Sequence, residues 1–373
     1  MYDPISPRNG EVLSIKDRHV PYSYWPVSRT PHVDKLQSTL FAIDPWTIIR
    51  DSINRNTAVE SIDECRACLV QARELFKSAS ESSVISSRPL QIYYSFLNLA
   101  KCFCLARGSR STFDRAHHGL AEQLAPGGSE LQDAYLEVHK STSSHVNIFD
   151  EFVKSISDHR FSNRHILPIP HIIPQIVPGH RVWAKAAGET ERFLSVSEIY
   201  FMECKEKRRV WAAIHFHSGD LKRLNITPDS LMSSSIIREN RHLIDYTDGF
   251  VSFEDDDTVE YAKHATEDLQ KILSNLKKSL WVTVGSSFPF RRYYIYMSPE
   301  SESGSLLPQL ASIYAIAFYL SSITRYRPHH FSKILDGPFG SRIEEFITGQ
   351  PNQFLYLMAS EFAEQDVSRP SIV

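Results

Sequence analysis

Residues 88–108 read RPLQIYYSFLNLAKCFCLARG, and this stretch decides the fold. Leu90, Tyr93, Tyr94, Leu97 and Leu105 mark one side of a helix, and Ile92, Phe96, Leu99 and Phe103 mark another. Only a narrow, weakly polar stripe runs through Gln91, Ser95, Asn98 and Cys102. A helix that is apolar on both sides is wrapped by neighbours rather than laid on a surface. Pro89 stands in the first turn, where proline is tolerated, and Gly108 ends the helix. A second segment of this kind starts near Leu306 and carries Leu310, Ile313, Tyr314, Ala317, Phe318 and Leu320 at helical spacing. It stops at Arg325, Tyr326, Arg327 and Pro328. Polar residues interrupt both segments, and each is shorter than the ~20 apolar residues that cross a bilayer, so no membrane span is expected. Each is followed by a turn rich in Arg and His: Arg107, Arg110, Arg115, His117 and His118 after the first, His329 and His330 after the second.

Outward from these two helices, 61–80 repeats Ile62, Cys65, Leu69, Ala72, Leu75 and Phe76 at helical spacing, before a serine-rich break at 81–87. Residues 130–158 read as one or two further helices broken around Ser141–Ser144. PIPHIIPQIVPGH, 168–180, is too rich in proline for a helix or a central strand and reads as a linker. Strands are expected at 182–186, 197–203, 210–216 and 250–253, with KEKRR (205–209) as a hairpin turn between two of them. A helix is expected over 258–278, strands at 280–284 and 293–297, and helices at 339–348 and 352–365. The fold class expected is α+β, mainly α, with a helical domain formed by the N- and C-terminal segments and a strand-rich, largely antiparallel insertion. Its parts are an extended arm (1–40), a helical region (41–167), the linker (168–180), the strand-rich segment (181–300) and a C-terminal helical region (301–373) packing back on the first helices.

Composition narrows the function classes. With 373 residues, 42% hydrophobic and 23% charged, the chain is neither fibrous nor disordered. Lys and Arg total 41 against 44 acidic residues, so the net charge of -3 exerts no global pull on nucleic acid or anionic membrane. The start, MYDPISPRNGEV, lacks a basic end and an apolar core, and five cysteines is an odd number in a chain too large to need staples. Reduced thiols and a cytoplasmic location follow as expectations. Cys65-x-x-Cys68 and Cys102-x-Cys104 fall inside helices among apolar neighbours, which suits buried small side chains better than a zinc site, so no metal is expected. Glu203-Cys204-Lys205 lacks the preceding aspartate of a metal-dependent nuclease and reads as an exposed strand end; Glu254 to Asp257 reads as a solvated turn. Walker A, Gly-x-Gly-x-x-Gly, Gly-x-Ser-x-Gly and His-Glu-x-x-His patterns are all missing, and no cofactor is expected.

Pro89, Leu90, Tyr93, Tyr94, Leu99 and Lys101, with His118-Gly119 and then Arg325, Tyr326 and Pro328, resemble the YaaC-like family. Cys102 stands where that pattern has alanine after the lysine. The family is bacterial, and the resemblance implies an architecture more than an activity. A second pattern, Arg followed by His after four to six residues, occurs at Arg110/His117, Arg160/His165 and Arg325/His330. It resembles the motif of HEPN-type ribonucleases, helical enzymes that use no metal. The chemistry is sound, since histidine can move a proton from a ribose hydroxyl while arginine stabilises charge on the phosphate. The plainer reading is that these basic residues complement helix C-termini.

Three functional readings stay open. The first is an interaction component of a multi-protein bacterial system, phage defence being one setting, with a protein partner encoded nearby. The second is a HEPN-like ribonuclease with Arg325 and His330 as catalytic pair. The third is a nucleic-acid-binding module, taking RNA or DNA at Lys205, Lys207, Arg208 and Arg209. Binding candidates around the two helices are Tyr94, Lys101, Arg110, His117, His118, Arg327 and His329.

Overall fold

The apolar helix of the first quotation, Arg88–Ala106, is the hub of the computed structural model, which describes residues 3–26, 39–128, 131–157, 159–245, 249–287 and 290–371. In chain order the helices are α1 (Pro45–Asn56), α2 (Ile62–Glu81), α3 (Arg88–Ala106), α4 (Ile148–Ser157), α5 (Ile169–Ile172) and α6 (His180–Ala187). Short α7 (Ser218–Arg223), α8 (Pro228–Met232), α9 (Ser235–Arg238) and α10 (Leu269–Leu276) follow within the strand-rich part. The chain closes with α11 (Gln309–Tyr326), α12 (Pro328–Leu335) and α13 (Gly340–Ala363). Helix makes up 48% and strand 21%, so the fold is α+β weighted towards helix.

Sidedness explains why α3 is central. Ser95 Oγ donates to the Ala72 carbonyl of α2 at 2.8 Å, which draws the two backbones together at small residues. On the opposite side Tyr93 meets Tyr314 and Phe318 of α11, with ring centroids 5.6 and 5.2 Å away. Phe96 stacks on Phe354 of α13 at 3.8 Å, and Phe103 meets Phe152 of α4. Fully burying each such ring contributes about 1.5–3 kcal/mol. The first and last helices therefore share one core, as their apolar patterns predict.

The inserted part builds an antiparallel sheet in the order Glu11–Val12, Glu198–Cys204, Arg209–His217, Phe250–Asp255 and Arg241–Ile244, with Val259–Glu260 also pairing Arg209–His217. KEKRR is the expected hairpin, closing the Cys204↔Arg209 pair. A three-stranded sheet joins Phe193–Ser195, Arg291–Tyr296 and Trp281–Val284. The N-terminal arm is a strap rather than a surface extension. Val12 pairs with Met202 and Ile5 bridges to Ile244. Leu13, Val20, Tyr24 and Trp25 are buried. Residues 1–2 and 27–38 of the expected arm lie outside those described.

Several elements differ from expectation, each for a local reason. Residues 182–186 are helix: in α6 the buried positions are His180, Trp183 and Ala184, a helical spacing that counting the histidine as polar conceals. Among the described residues of 130–158, Ala134–Val138 is a strand whose residues alternate buried and half-buried, preceded by a 3-10 turn at Leu131–Asp133, and regular α-helix is confined to α4. The strand pairs with Leu120–Leu124 and His165–Pro168. The proline-rich segment is core. Pro170 and Pro174 occupy first turns, where a missing N–H costs nothing, and Ile169, Ile172, Ile173 and Ile176 are fully buried or nearly so. α13 runs unbroken through Pro351, both of its halves being buried. Over 258–278 regular α-helix is confined to α10, after a strand at Val259–Glu260 and a short 3-10 turn. Glu254 and Asp255 are not solvated: they end a buried strand, held by Arg8 and Arg241. Glu203 is buried too, accepting from the Tyr261 hydroxyl at 2.6 Å.

Candidate functional site

Tyr94 and Lys101 lie two turns apart on one face of α3. α11 ends against this face because Pro328 cannot continue the helix, leaving Arg327 as cap and Arg325 in the last turn. Arg325 Nη1 donates to the Tyr94 hydroxyl at 3.0 Å, and its guanidinium lies 4.3 Å from the Tyr326 ring centre.

The third wall is the turn carrying His118. Ala116–His117 pairs in parallel with Val146–Asn147, and the chain then reverses at Gly119 with φ +83°. A Cβ there would stand 3.0 Å from Asn147 Cβ and 3.3 Å from the Phe149 nitrogen, so the turn requires glycine. The Gly119 carbonyl accepts from the His139 N–H at 2.9 Å, and the His118 carbonyl accepts from the Phe149 N–H at 3.2 Å. Both bonds hold the His118 backbone against the start of α4. Its ring packs near Tyr94 and Phe318, and Nδ1 hydrogen-bonds the Tyr93 hydroxyl at 2.5 Å.

Burial favours the neutral forms at this corner. Burial pushes the His118 imidazolium to a lower pKa than usual, and the cations Arg325, Lys101 and His117 add to the effect, so a neutral ring is favoured. Burial raises the Tyr93 hydroxyl well above its ordinary value, so it keeps its proton. A Tyr93 O–H donating to Nδ1 leaves the ring proton on Nε2, which makes no hydrogen bond among the described residues. Neighbouring arginines are neutralised: Arg107 pairs with Glu364, Arg110 with Glu151 at 2.6 Å, and Arg327 with Glu122. Arg325 and Lys101 have no carboxylate partner among the described residues. Beside His118 opens a cleft of about 490 Å³ lined by His117, His118, His139, Lys140, His145 and Asn163 among others, with no Asp or Glu in its wall. Arg325 and Lys101 are not part of that wall and bear on it electrostatically through His118.

The family model for YaaC-like protein matches residues 35–362, which takes in α1 to α12 and nearly all of α13, and with them every wall of this cleft. The chain belongs to the YaaC-like family. No curated protein and no solved structure matches it.

Of the residues singled out in this YaaC-like sequence, the fold gathers Tyr94, Lys101, His117, His118 and Arg325. It does not gather the rest. His329 and His330 line a different groove of about 800 Å³ with Leu131, Ala187 and Phe339, and His330 is buried there. Arg325 is not part of that wall. Arg110 and Arg327 are held in ion pairs with the nearly buried Glu151 and Glu122. On the 205–209 turn, Lys205 pairs with Glu11 and Arg209 with Glu260 at 2.7 Å, while Arg208 reaches the Ala262 carbonyl. Lys207, on the same turn, is exposed and has no ion-pair or hydrogen-bond partner among the described residues. No cluster of three or more His, Cys, Asp or Glu fit for a metal occurs among the described residues, and no helix there is long and apolar enough to cross a membrane.

Sequence reasoning missed Tyr93, His139, Lys140 and His145. The Tyr93-Tyr94 pair stood in the family pattern, yet Tyr93 read as a core residue. A buried tyrosine needs a partner for its hydroxyl, and that requirement was the available signal.

Proposed function

We propose that this YaaC-like protein binds a phosphate-bearing ligand in the cleft at the His118 turn, with Arg325 of α11 and Lys101 of α3 bearing on His118. The observation that carries the reading is the pairing pattern: Arg107, Arg110 and Arg327 meet carboxylates, whereas Arg325 and Lys101, the two cations bearing on His118, have no carboxylate partner among the described residues, and the cleft that His118 lines has no Asp or Glu in its wall. Cations gathered without counter-charge repel one another, and a bound anion relieves that repulsion. Arginine offers a planar fork for phosphate oxygens and lysine a point charge. Tyr94 orients the fork, and His118 Nε2–H adds a neutral donor. Five unpaired thiols support an intracellular setting. Such a site suits the ligand-sensing part of a multi-protein system, and co-purification from the native host with a protein encoded nearby tests that part.

The experiment for the site is calorimetric titration with inorganic pyrophosphate. Wild type binds, Arg325→Ala and Lys101→Ala each weaken binding by about tenfold or more, and Lys207→Ala leaves it unchanged. Absence of binding by wild type at millimolar pyrophosphate refutes the reading.

A metal-independent ribonuclease is the second reading, favoured by the Tyr93–His118 unit beside Arg325. It moves the histidine of the pair from His330 to His118. Cleavage of total RNA in EDTA that is lost in His118→Ala and kept in His330→Ala supports it; intact RNA with wild type sinks it.

A further inference from the structure

The cleft is larger than a phosphate needs, and its far half has its own chemistry. Volumes of a few hundred cubic ångströms are typical of small-molecule sites, and at about 490 Å³ this one falls in that range. Parallel pairing sets His117 beside Asn147, which brings His145 alongside it. The two imidazoles lie nearly parallel, 28° apart with centroids at 6.2 Å, and both residues are exposed. His145 is steadied by Ser144 Oγ at 2.8 Å from its Nδ1. The Asn147 amide is engaged with the Lys140 carbonyl at 3.0 Å, whereas Asn163 stands exposed in the same wall.

Recognition of a nucleotide asks for three things in one place: an anion clamp, a flat ring surface for the base, and a donor–acceptor group for the base edge. His118 and Lys140 in the wall, with Arg325 and Lys101 bearing electrostatically on His118, form the first. The His117–His145 pair forms the second. The Asn163 amide, with both a donor and an acceptor, forms the third. His118 and His117 are consecutive, so clamp and ring surface adjoin along a single wall. A protein partner has less support here, since the wall offers polar rings and amides rather than an apolar anchor.

We infer that the cleft takes a nucleotide, with its phosphate at His118 and Lys140 on the side towards Arg325 and Lys101, and its base stacked on the His117–His145 pair against Asn163. The inference rests on the phosphate reading above and adds the ligand class. A free nucleotide and one nucleotide of a single strand share this chemistry, and the experiment separates them.

The test compares inorganic phosphate, AMP and a short single-stranded RNA by calorimetry on wild type, His145→Ala, Asn163→Ala and Arg325→Ala. Both histidine and asparagine variants change exposed side chains and leave the core alone. Wild type binds AMP about tenfold or more tighter than phosphate. His145→Ala and Asn163→Ala each reduce that preference while phosphate affinity holds, and Arg325→Ala weakens all three ligands. RNA binding tighter than AMP identifies a strand as the source; equal binding identifies a free nucleotide. If AMP and RNA bind no better than phosphate while Arg325→Ala still weakens phosphate, the nucleotide inference is overturned and the phosphate site stands. If wild type binds none of the three, both fall.

Discussion

Acidification singles out His180 as a stability switch. This residue opens α6 at the end of the proline-rich segment and is buried against Trp183, Phe193 and Tyr296. Its Nδ1–H donates to the Pro174 carbonyl at 2.7 Å, and its Nε2 accepts from the Arg192 N–H at 2.7 Å. Those bonds fix one neutral tautomer, and a proton on Nε2 would abut the Arg192 N–H. Burial pushes the pKa from its ordinary 6.5 down to about 4, with Arg192 and Arg342 adding to the shift and the Pro174 carbonyl opposing it. Below pH 6.5 the unfolded chain binds a proton that the folded chain refuses. Stability is therefore fully present above 6.5 and drains away as pH falls towards 4. The whole interval corresponds to about 3 kcal/mol, of which about 2 kcal/mol is lost by pH 5. Other half-buried histidines titrate too, so the comparison is with His180→Gln, a neutral side chain that can still donate and accept. Urea unfolding at pH 7.5, 6 and 5 should show wild type losing about 2 kcal/mol more than the variant across that span. Parallel losses in the two proteins would refute the assignment of a buried, neutral His180, and with it the placing of residues 168–180 in the core.

Two further outcomes follow from the walls of the cleft. Gly119→Ala forces a side chain into φ +83° against Asn147 and Phe149, and should cost about 2 kcal/mol by urea unfolding as it displaces His118. Arg325→Ala and Arg327→Ala, two positions apart, should separate function from stability. The former should stay within about 0.5 kcal/mol of wild type and lose pyrophosphate binding. The latter leaves Glu122 nearly buried and unpaired, and should cost about 2 kcal/mol.

Where burial tracks one clear period, sequence and structure agree. α2 and α3 fall within a residue or two of their expected bounds, and Leu310 to Leu320 lie in α11, because these helices carry apolar residues over many turns. Short elements were harder. Val182 to Ala186 cannot separate a period of two from one of 3.6, and the Ala134–Val138 alternation was hidden among helical neighbours. Proline misled at 168–180, since a first-turn position at Pro170 and Pro174 removes its usual meaning, and the two helices expected at 339–348 and 352–365 are one, continuous through Pro351. At the cleft, Tyr94, Lys101, His118 and Arg325 were legible as residues of a pattern. Their convergence was not, because 231 positions separate Arg325 from Tyr94 and only tertiary packing joins them. The spacing of Arg325 and His330 was a weak guide for a related reason: a helix break at Pro328 turns the two side chains into different surroundings.

The most direct test of the account is where an anion settles. Crystals of the full chain soaked in tungstate, a dense phosphate mimic, give an anomalous map that locates it. The account predicts the strongest peak between Arg325, Lys101 and His118, and its loss in Arg325→Ala crystals. A strongest peak elsewhere, whether at the 205–209 turn or in the groove of His329 and His330, would contradict it.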